Sequence, residues 1–145
     1  MEELEALRKL VEEHDYTAAL ALIDEMDEMA KEDKISKIKA FLRVLLIHLI
    51  KQHAEKRSTP SWENSIDHSL DSIWDINQRP KSKGQFMKAD ELAAAIEEKF
   101  PMALRHASRE AFAGVFDARQ LAKMIDAEAV KRQALGLILA YDPQN

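Results

Sequence analysis

The sequence predicts an all-α protein, built as an antiparallel helical bundle with additional short C-terminal helices. The chain has only 3 Gly in 145 residues, which leaves few tight turns to connect strands. Strong helix formers such as Ala, Leu, Glu and Lys are its commonest residues. Apolar residues recur every three to four positions along most of the chain, and this is the spacing of an amphipathic helix.

Composition and charge exclude several classes of protein. The chain is 46% hydrophobic and 32% charged, which fits one globular domain over residues 1–145. It has no Cys, so a disulfide scaffold and a Cys-based zinc site are excluded. The net charge of −5 lacks the basic excess of a nucleic-acid binder. The longest strongly apolar run, residues 134–140, is too short to span a bilayer, and the acidic start does not fit a secretory signal. We therefore expect a cytoplasmic protein with no membrane contact.

The N-terminal part of the chain predicts two helices. The first covers about residues 2–13, and the second covers about 16–30 with Asp15 as its N-cap. The second helix carries Asp24, Glu25, Asp27 and Glu28 opposite its apolar side. Carboxylates in such a cluster suit a hard cation, although the solvated face of an amphipathic helix explains them more simply.

A third helix over about residues 36–54 is apolar nearly all round and should be the most buried. His48 lies at the edge of its main apolar face, which favours a boundary residue over a metal ligand. His53 follows five positions later, so the two rings point about 140° apart and cannot chelate one metal together. A histidine metal site would need ligands from another helix.

The remainder of the chain predicts five further helices. One helix begins with Thr59 as N-cap and Pro60 at its first position, and it runs to about residue 77. Within this helix, Trp62 is predicted to pack in the core. A basic loop over 79–85 leads to a helix over about 89–99, which Pro101 should break or kink. Others follow over about 102–113, 117–125 and 127–140, with Asp126 as the N-cap of the last. We expect the helices over 16–30, 36–54, 60–77 and 102–113 to form the bundle core, and the last to cover it or meet a second subunit.

Four segments carry a resemblance to a known family: residues 22–29, 45–52, 61–62 and 103–110. In order and spacing they resemble the acidic second helix, the His-Leu-Leu-Lys helix, the Ser-Trp helix start and the Ala/Arg-rich helix of the domain of unknown function 29 family, which is mostly cyanobacterial. The resemblance covers about residues 15–112 and leaves 113–145 as a C-terminal helical extension. It implies an all-helical bacterial protein and implies no activity. The Arg-rich continuation expected after Ser-Trp is replaced by Asp67-His68-Ser69, which argues against anion binding there.

No motif in the sequence indicates an enzyme. Its glycines are isolated, so no phosphate-binding loop exists, and neither a Gly-x-Ser-x-Gly nor a His-Glu-x-x-His pattern occurs. We therefore expect a non-enzymatic helical interaction or scaffolding protein without a cofactor, which self-associates or binds a protein partner. The alternative is a metal-dependent enzyme with its site between the acidic second helix and His48. Nucleic-acid binding through Lys81, Lys83 and Lys88 is a third, less favoured idea. The candidate binding residues are His48, Lys51, Trp62, Asp24, Glu25 and Glu28.

Overall fold

The computed structural model describes residues 2–79 and 84–144. Within these residues the chain forms six α-helices and no strand, in agreement with the predicted all-α class. The helices are α1 (Glu2–Glu12), α2 (Tyr16–Glu55), α3 (Pro60–Asn77), α4 (Ala89–Glu110), α5 (Ala118–Ala122) and α6 (Ala127–Ala140). A 3₁₀ turn (Ala111–Gly114) follows α4.

Three predicted helix starts are confirmed by side-chain caps. The carboxylate of Asp15 accepts a hydrogen bond from the backbone N–H of Ala18 at 3.2 Å. The hydroxyl of Thr59 accepts one from Trp62 at 3.1 Å, with Pro60 opening α3. Asp126 caps α6 in the same way at 3.1 Å. Each cap satisfies one of the N–H groups that the first turn of a helix leaves without a partner.

Two predicted helix breaks were wrong. The helices expected over 16–30 and 36–54 are one 40-residue helix, α2, because residues 31–35 contain neither Gly nor Pro. The helices expected over 89–99 and 102–113 are joined in α4, which continues through Pro101. Pro101 lies on the exposed side of α4, where water can satisfy the carbonyl that loses its partner.

Contacts between helices fix the direction in which each one runs. Phe41 of α2 meets His68 of α3, and Lys51 meets Trp62, so α3 runs antiparallel to α2. Lys39 and Lys51 of α2 pair with Glu98 and Glu110 of α4, so α4 runs parallel to α2.

The last helix completes the bundle. Tyr141, which follows α6, donates a hydrogen bond to Asp71 of α3 at 3.0 Å. In the middle of α6, Gln133 lines a cleft with Glu63 of α3. This order makes α6 parallel to α3, so the bundle runs up-down-up-down through α2, α3, α4 and α6. The expected peripheral helix over 127–140 is thus the fourth member of the bundle.

The buried core lies in the second half of α2, as predicted. Ile38, Leu42, Leu45, Leu49 and Ile50 are at most 1% exposed, and α3, α4 and α6 supply the side chains around them. The first half of α2 is different: within Tyr16–Lys37 only Ala19 is buried. The expectation that the acidic segment 16–30 belongs to the bundle core was therefore wrong.

The first half of α2 extends past one end of the bundle. The pairing of Lys51 with Glu110 and of Lys39 with Glu98 places the beginning of α4 about level with residue 30 of α2. The preceding 14 residues of α2 add about 21 Å of helix at 1.5 Å per residue, and α1 packs against them. We call α1 together with residues 16–30 of α2 the arm. Among the described residues no helix is long and apolar enough to cross a membrane.

Candidate functional site

The six candidate residues fall into two groups that do not meet. His48 and Lys51 lie in the bundle half of α2, and Trp62 lies in the first turn of α3. Asp24, Glu25 and Glu28 lie on the arm, all exposed. Glu28 and His48 are 20 positions apart on one continuous helix, which separates them by about 30 Å.

The structure therefore does not form the metal site that the alternative hypothesis required. That hypothesis needed His48 and the acidic side chains to come from two facing helices. Because α2 does not break at residues 31–35, both sets lie along the same helix. Among the residues that the structure describes, no group of three or more metal-ligating side chains stands close enough to hold an ion.

Lys51 and Trp62 of the first group belong to a compact arrangement that we call the Lys51 cluster, which also contains Arg57, Glu55, His106 and Glu110. The Lys51 ammonium is buried and donates a hydrogen bond to Oε1 of Glu110 at 2.8 Å. The same ammonium lies 4.8 Å from the centre of the Trp62 ring. The Arg57 guanidinium lies at the same distance from that ring. Trp62 thus contacts two cations through its π electrons and links the beginning of α3 to α2.

Glu110 is the anion at the centre of this cluster. Its second carboxylate oxygen, Oε2, lies 3.0 Å from Nε2 of His106, one turn earlier on α4. The hydrogen bond from Lys51 lowers the pKa of the Glu110 carboxyl, and the bond to His106 adds to this effect, while burial acts in the opposite direction. Glu110 is therefore an ionised carboxylate at neutral pH.

A second acidic residue fastens the end of α4 to α2. Glu55 accepts a hydrogen bond from the backbone N–H of Phe112 at 3.1 Å and another from Arg57 at 2.8 Å. Burial opposes ionisation of Glu55, but these two bonds outweigh it and lower its pKa. Phe112 and Ala113 both adopt left-handed backbone angles, with φ of 51° and 56°. Two such residues in succession cost energy, and the bond to Glu55 helps to hold this turn.

His48 borders the cluster without joining its hydrogen bonds. Its Nδ1 atom is buried and has no hydrogen-bond partner. Burial lowers the pKa of the His48 imidazole, and the positive charge of Lys51 lowers it further. His48 is therefore neutral at pH 7, as expected for a boundary histidine on an apolar helix face.

The contacts of the cluster link helices to one another, so its role is structural. Lys51 is matched by Glu110, and Arg57 is matched by Glu55. These charges are engaged with each other across α2, α3 and the end of α4, so the arrangement stabilises one end of the bundle. Sequence reasoning identified Lys51 and Trp62 but missed Glu110 and His106. Their four-residue spacing on one helix was the only local signal, and it does not show which residue lies opposite.

The arm presents a different kind of surface. Residues 2–30 hold two basic and ten acidic side chains, a net charge of −8, whereas residues 31–145 hold nineteen basic and sixteen acidic ones, a net charge of +3. Eleven large hydrophobic side chains are exposed among the described residues, and six of them lie on the arm although it is only a fifth of the chain. These six are Leu4, Val11, Tyr16, Leu20, Ile23 and Met29. Single exposed apolar residues are ordinary, but Tyr16, Leu20 and Ile23 share one side of α2, and such a group indicates an interaction surface.

The basic loop considered for nucleic acids lies mostly outside the described residues. Lys81 and Lys83 belong to the undescribed segment 80–83. Lys88 is exposed, and its backbone N–H donates to the Glu91 side chain at the beginning of α4.

Comparison with known proteins gives a family and no function. Residues 2–120 match the family described as Domain of unknown function DUF29. The match extends beyond residues 15–112, the stretch that carried the resemblance in the sequence. Neither a search of curated proteins nor one of solved structures found a match to the chain.

Proposed function

Since the chain belongs to the Domain of unknown function DUF29 family, whose description names no activity, we propose a function from the protein's own surface. We propose that it is a non-enzymatic helical interaction module of the bacterial cytoplasm, which binds another protein through the arm. In this proposal the Lys51 cluster keeps the bundle rigid, and the arm makes the contact with the partner.

The exposed apolar side chains of the arm carry this proposal. Leu20 is 62% exposed, Tyr16 57% and Ile23 44%, and all three share one side of the helix α2. Covering one such side chain completely contributes roughly 1.5–3 kcal/mol of association free energy before ordering costs are subtracted. Covering these side chains therefore favours association with a partner.

The charge of the arm favours a partner other than a second arm. Self-association, which the sequence also suggested, would bring two surfaces of net charge −8 together if two arms paired. Like charges placed side by side at an interface oppose association. We therefore propose a heterotypic partner for this surface.

Photocrosslinking in the cells that naturally make the protein tests the proposal. A benzophenone amino acid replaces Leu20 in one version and Met102 in the control. Met102 is 47% exposed and lies on α4 in the bundle. We expect one discrete heavier product from the Leu20 version and none from the Met102 version. The product should disappear when Ile23→Asp is added.

Reconstitution then decides between specific binding and capture of a bystander. The captured protein, identified by mass spectrometry, should bind the purified chain, and Ile23→Asp should weaken that binding at least tenfold. Equal products from both positions, or no product from Leu20, would refute the interaction module. A product containing two copies of this chain alone would replace the heterotypic partner by self-association.

A further inference from the structure

We infer that the partner inserts a basic amphipathic helix between the arm and the adjacent end of the bundle. This inference rests on the proposed function and adds the chemistry of the partner to it. It follows from the direction in which the apolar residues of the arm point, from the space that the bundle leaves beside them, and from the charges around them.

The apolar residues of the arm point over the end of the bundle. Tyr16, Leu20 and Ile23 follow each other at spacings of four and three, so they share one side of α2. Leu20 and Ile38 are 18 positions apart, which is five turns at 3.6 residues per turn, so both point in nearly the same direction. Ile38 is fully buried in the bundle, whereas Leu20 projects beyond the ends of α3 and α4.

The space beside this side of α2 suits one helix. In the bundle, Phe41 of α2 contacts α3 and Lys39 contacts α4, so these two helices lie on either side of the direction in which Ile38 and Leu20 point. Helix α4 begins at Ala89, which is level with about residue 30 of α2. From Tyr16 to that level the arm is about 21 Å long, the length of a helix of about 14 residues. An added helix there would cover Leu20 as the bundle covers Ile38.

The surroundings of this space are acidic. Asp24 and Asp27 follow Leu20 at spacings of four and seven, so they flank the apolar residues on the same side of α2. Asp90 and Glu91 begin α4 at the bundle end of the space. All four are exposed. Three basic residues mark the limit of this acidic zone: Lys31 and Lys34 on the same side of α2, and Lys88 just before α4.

An occupant with basic and apolar sides matches both features. Its apolar side would cover Leu20 and Ile23, and its Lys or Arg side chains would meet the exposed carboxylates. Electrostatic complementarity of this kind speeds association and selects partners. Nucleic acids and anionic membranes would be repelled by the same carboxylates, and another arm would be repelled by its own charge.

Binding of designed peptides to the purified full-length protein tests this inference. Three labelled 18-residue probe peptides are compared by fluorescence anisotropy: an amphipathic helix with Leu on one side and Lys on the other, the same helix with Glu in place of Lys, and a scrambled Lys/Leu peptide. We expect the basic amphipathic helix to bind at least tenfold more tightly than either of the others. Its binding should weaken as salt is added.

Two variants of the protein locate the binding site. Leu20→Asp should weaken the binding of the basic peptide at least tenfold, and the matched control Met102→Asp should leave that binding unchanged. The double substitution Asp24→Asn with Asp27→Asn should weaken the binding of the basic peptide and reduce its salt dependence. Circular dichroism confirms that each variant is as helical as the native protein.

The outcomes separate this inference from the proposed function. The inference of a basic partner helix would be refuted if the basic and acidic peptides bound equally. It would also be refuted if Leu20→Asp and Met102→Asp had equal effects, or if all three peptides failed to bind. The interaction module itself fails only if crosslinking at Leu20 yields no specific partner. A crosslinked partner whose contact segment is acidic or not helical would retain the module and reject the basic helix.

Discussion

Glu110→Gln should destabilise the protein because it leaves the Lys51 ammonium without its anion. Lys51 is 7% exposed at its side chain and bonds to Glu110 at 2.8 Å. A hydrogen bond to a charged group contributes about 1.5–3 kcal/mol, and leaving a buried charge uncompensated costs more. The Glu110 side chain is 43% exposed, so water reaches part of the site. We therefore expect a loss of about 2 kcal/mol in the free energy of unfolding.

The same two helices supply a matched control. Lys39 and Glu98 are also 59 positions apart and form an ion pair at 3.1 Å, but their side chains are 30% and 53% exposed. Exposed ion pairs contribute about 0–1 kcal/mol. Glu98→Gln should therefore change the free energy of unfolding by less than about 0.5 kcal/mol. The two substitutions make the same chemical change on the same helix and differ mainly in the burial of the lysine.

Urea unfolding followed by circular dichroism at neutral pH measures both variants. Adding Lys51→Met to Glu110→Gln should recover part of the lost stability, because an apolar side chain of similar length replaces the unpaired charge. Equal losses from Glu110→Gln and Glu98→Gln would show that burial of Lys51 does not control the strength of the pair. That result would refute the structural role assigned to the Lys51 cluster.

Three further predictions concern pH, the arm and the glycines. The pKa of His48 is lowered in the fold from its ordinary value of 6.5, so protonation of His48 favours the unfolded state. Stability is therefore lost as the pH falls from 6.5 through the folded pKa. His48→Leu should flatten this part of the pH profile in urea unfolding. Leu42→Ala should cost about 3 kcal/mol because Leu42 is fully buried, whereas Leu20→Ala should cost less than about 0.5 kcal/mol, and equal costs in urea would contradict an uncovered arm. Gly114 has φ +79° and an added Cβ would lie 3.0 Å from a backbone oxygen, so Gly114→Ala should cost about 1–2 kcal/mol. Gly136 lies within α6 with open space around it, so Gly136→Ala should raise stability by about 0.5–1 kcal/mol in the same assay.

Local sequence was a good guide wherever neighbouring residues decide the structure. The caps at Asp15, Thr59 and Asp126 were predicted from residues within three positions of them, and the structure confirms each one. The predicted break before residue 36 failed because residues 31–35 contain neither Gly nor Pro to end a helix. The predicted break at Pro101 failed because proline on the exposed side of a helix is tolerated when solvent replaces the lost partner.

The candidate site shows the same division between local and distant information. His48, Lys51 and Trp62 stood out in the sequence because of their residue types and their places on helix faces. Grouping them with Asp24 and Glu28 depended on a helix boundary that does not exist.

Residue spacings of three to four positions were sufficient to predict that this chain forms helices, where most of them begin, and that the second half of α2 is the core. The packing of whole helices determines that Lys51 meets Glu110, 59 positions away, and that α6 is the fourth helix of the bundle. It also determines that α2 extends past the bundle as an arm with uncovered apolar side chains. Such contacts depend on how whole helices pack, and the free energy of packing is spread over many side chains distant in sequence.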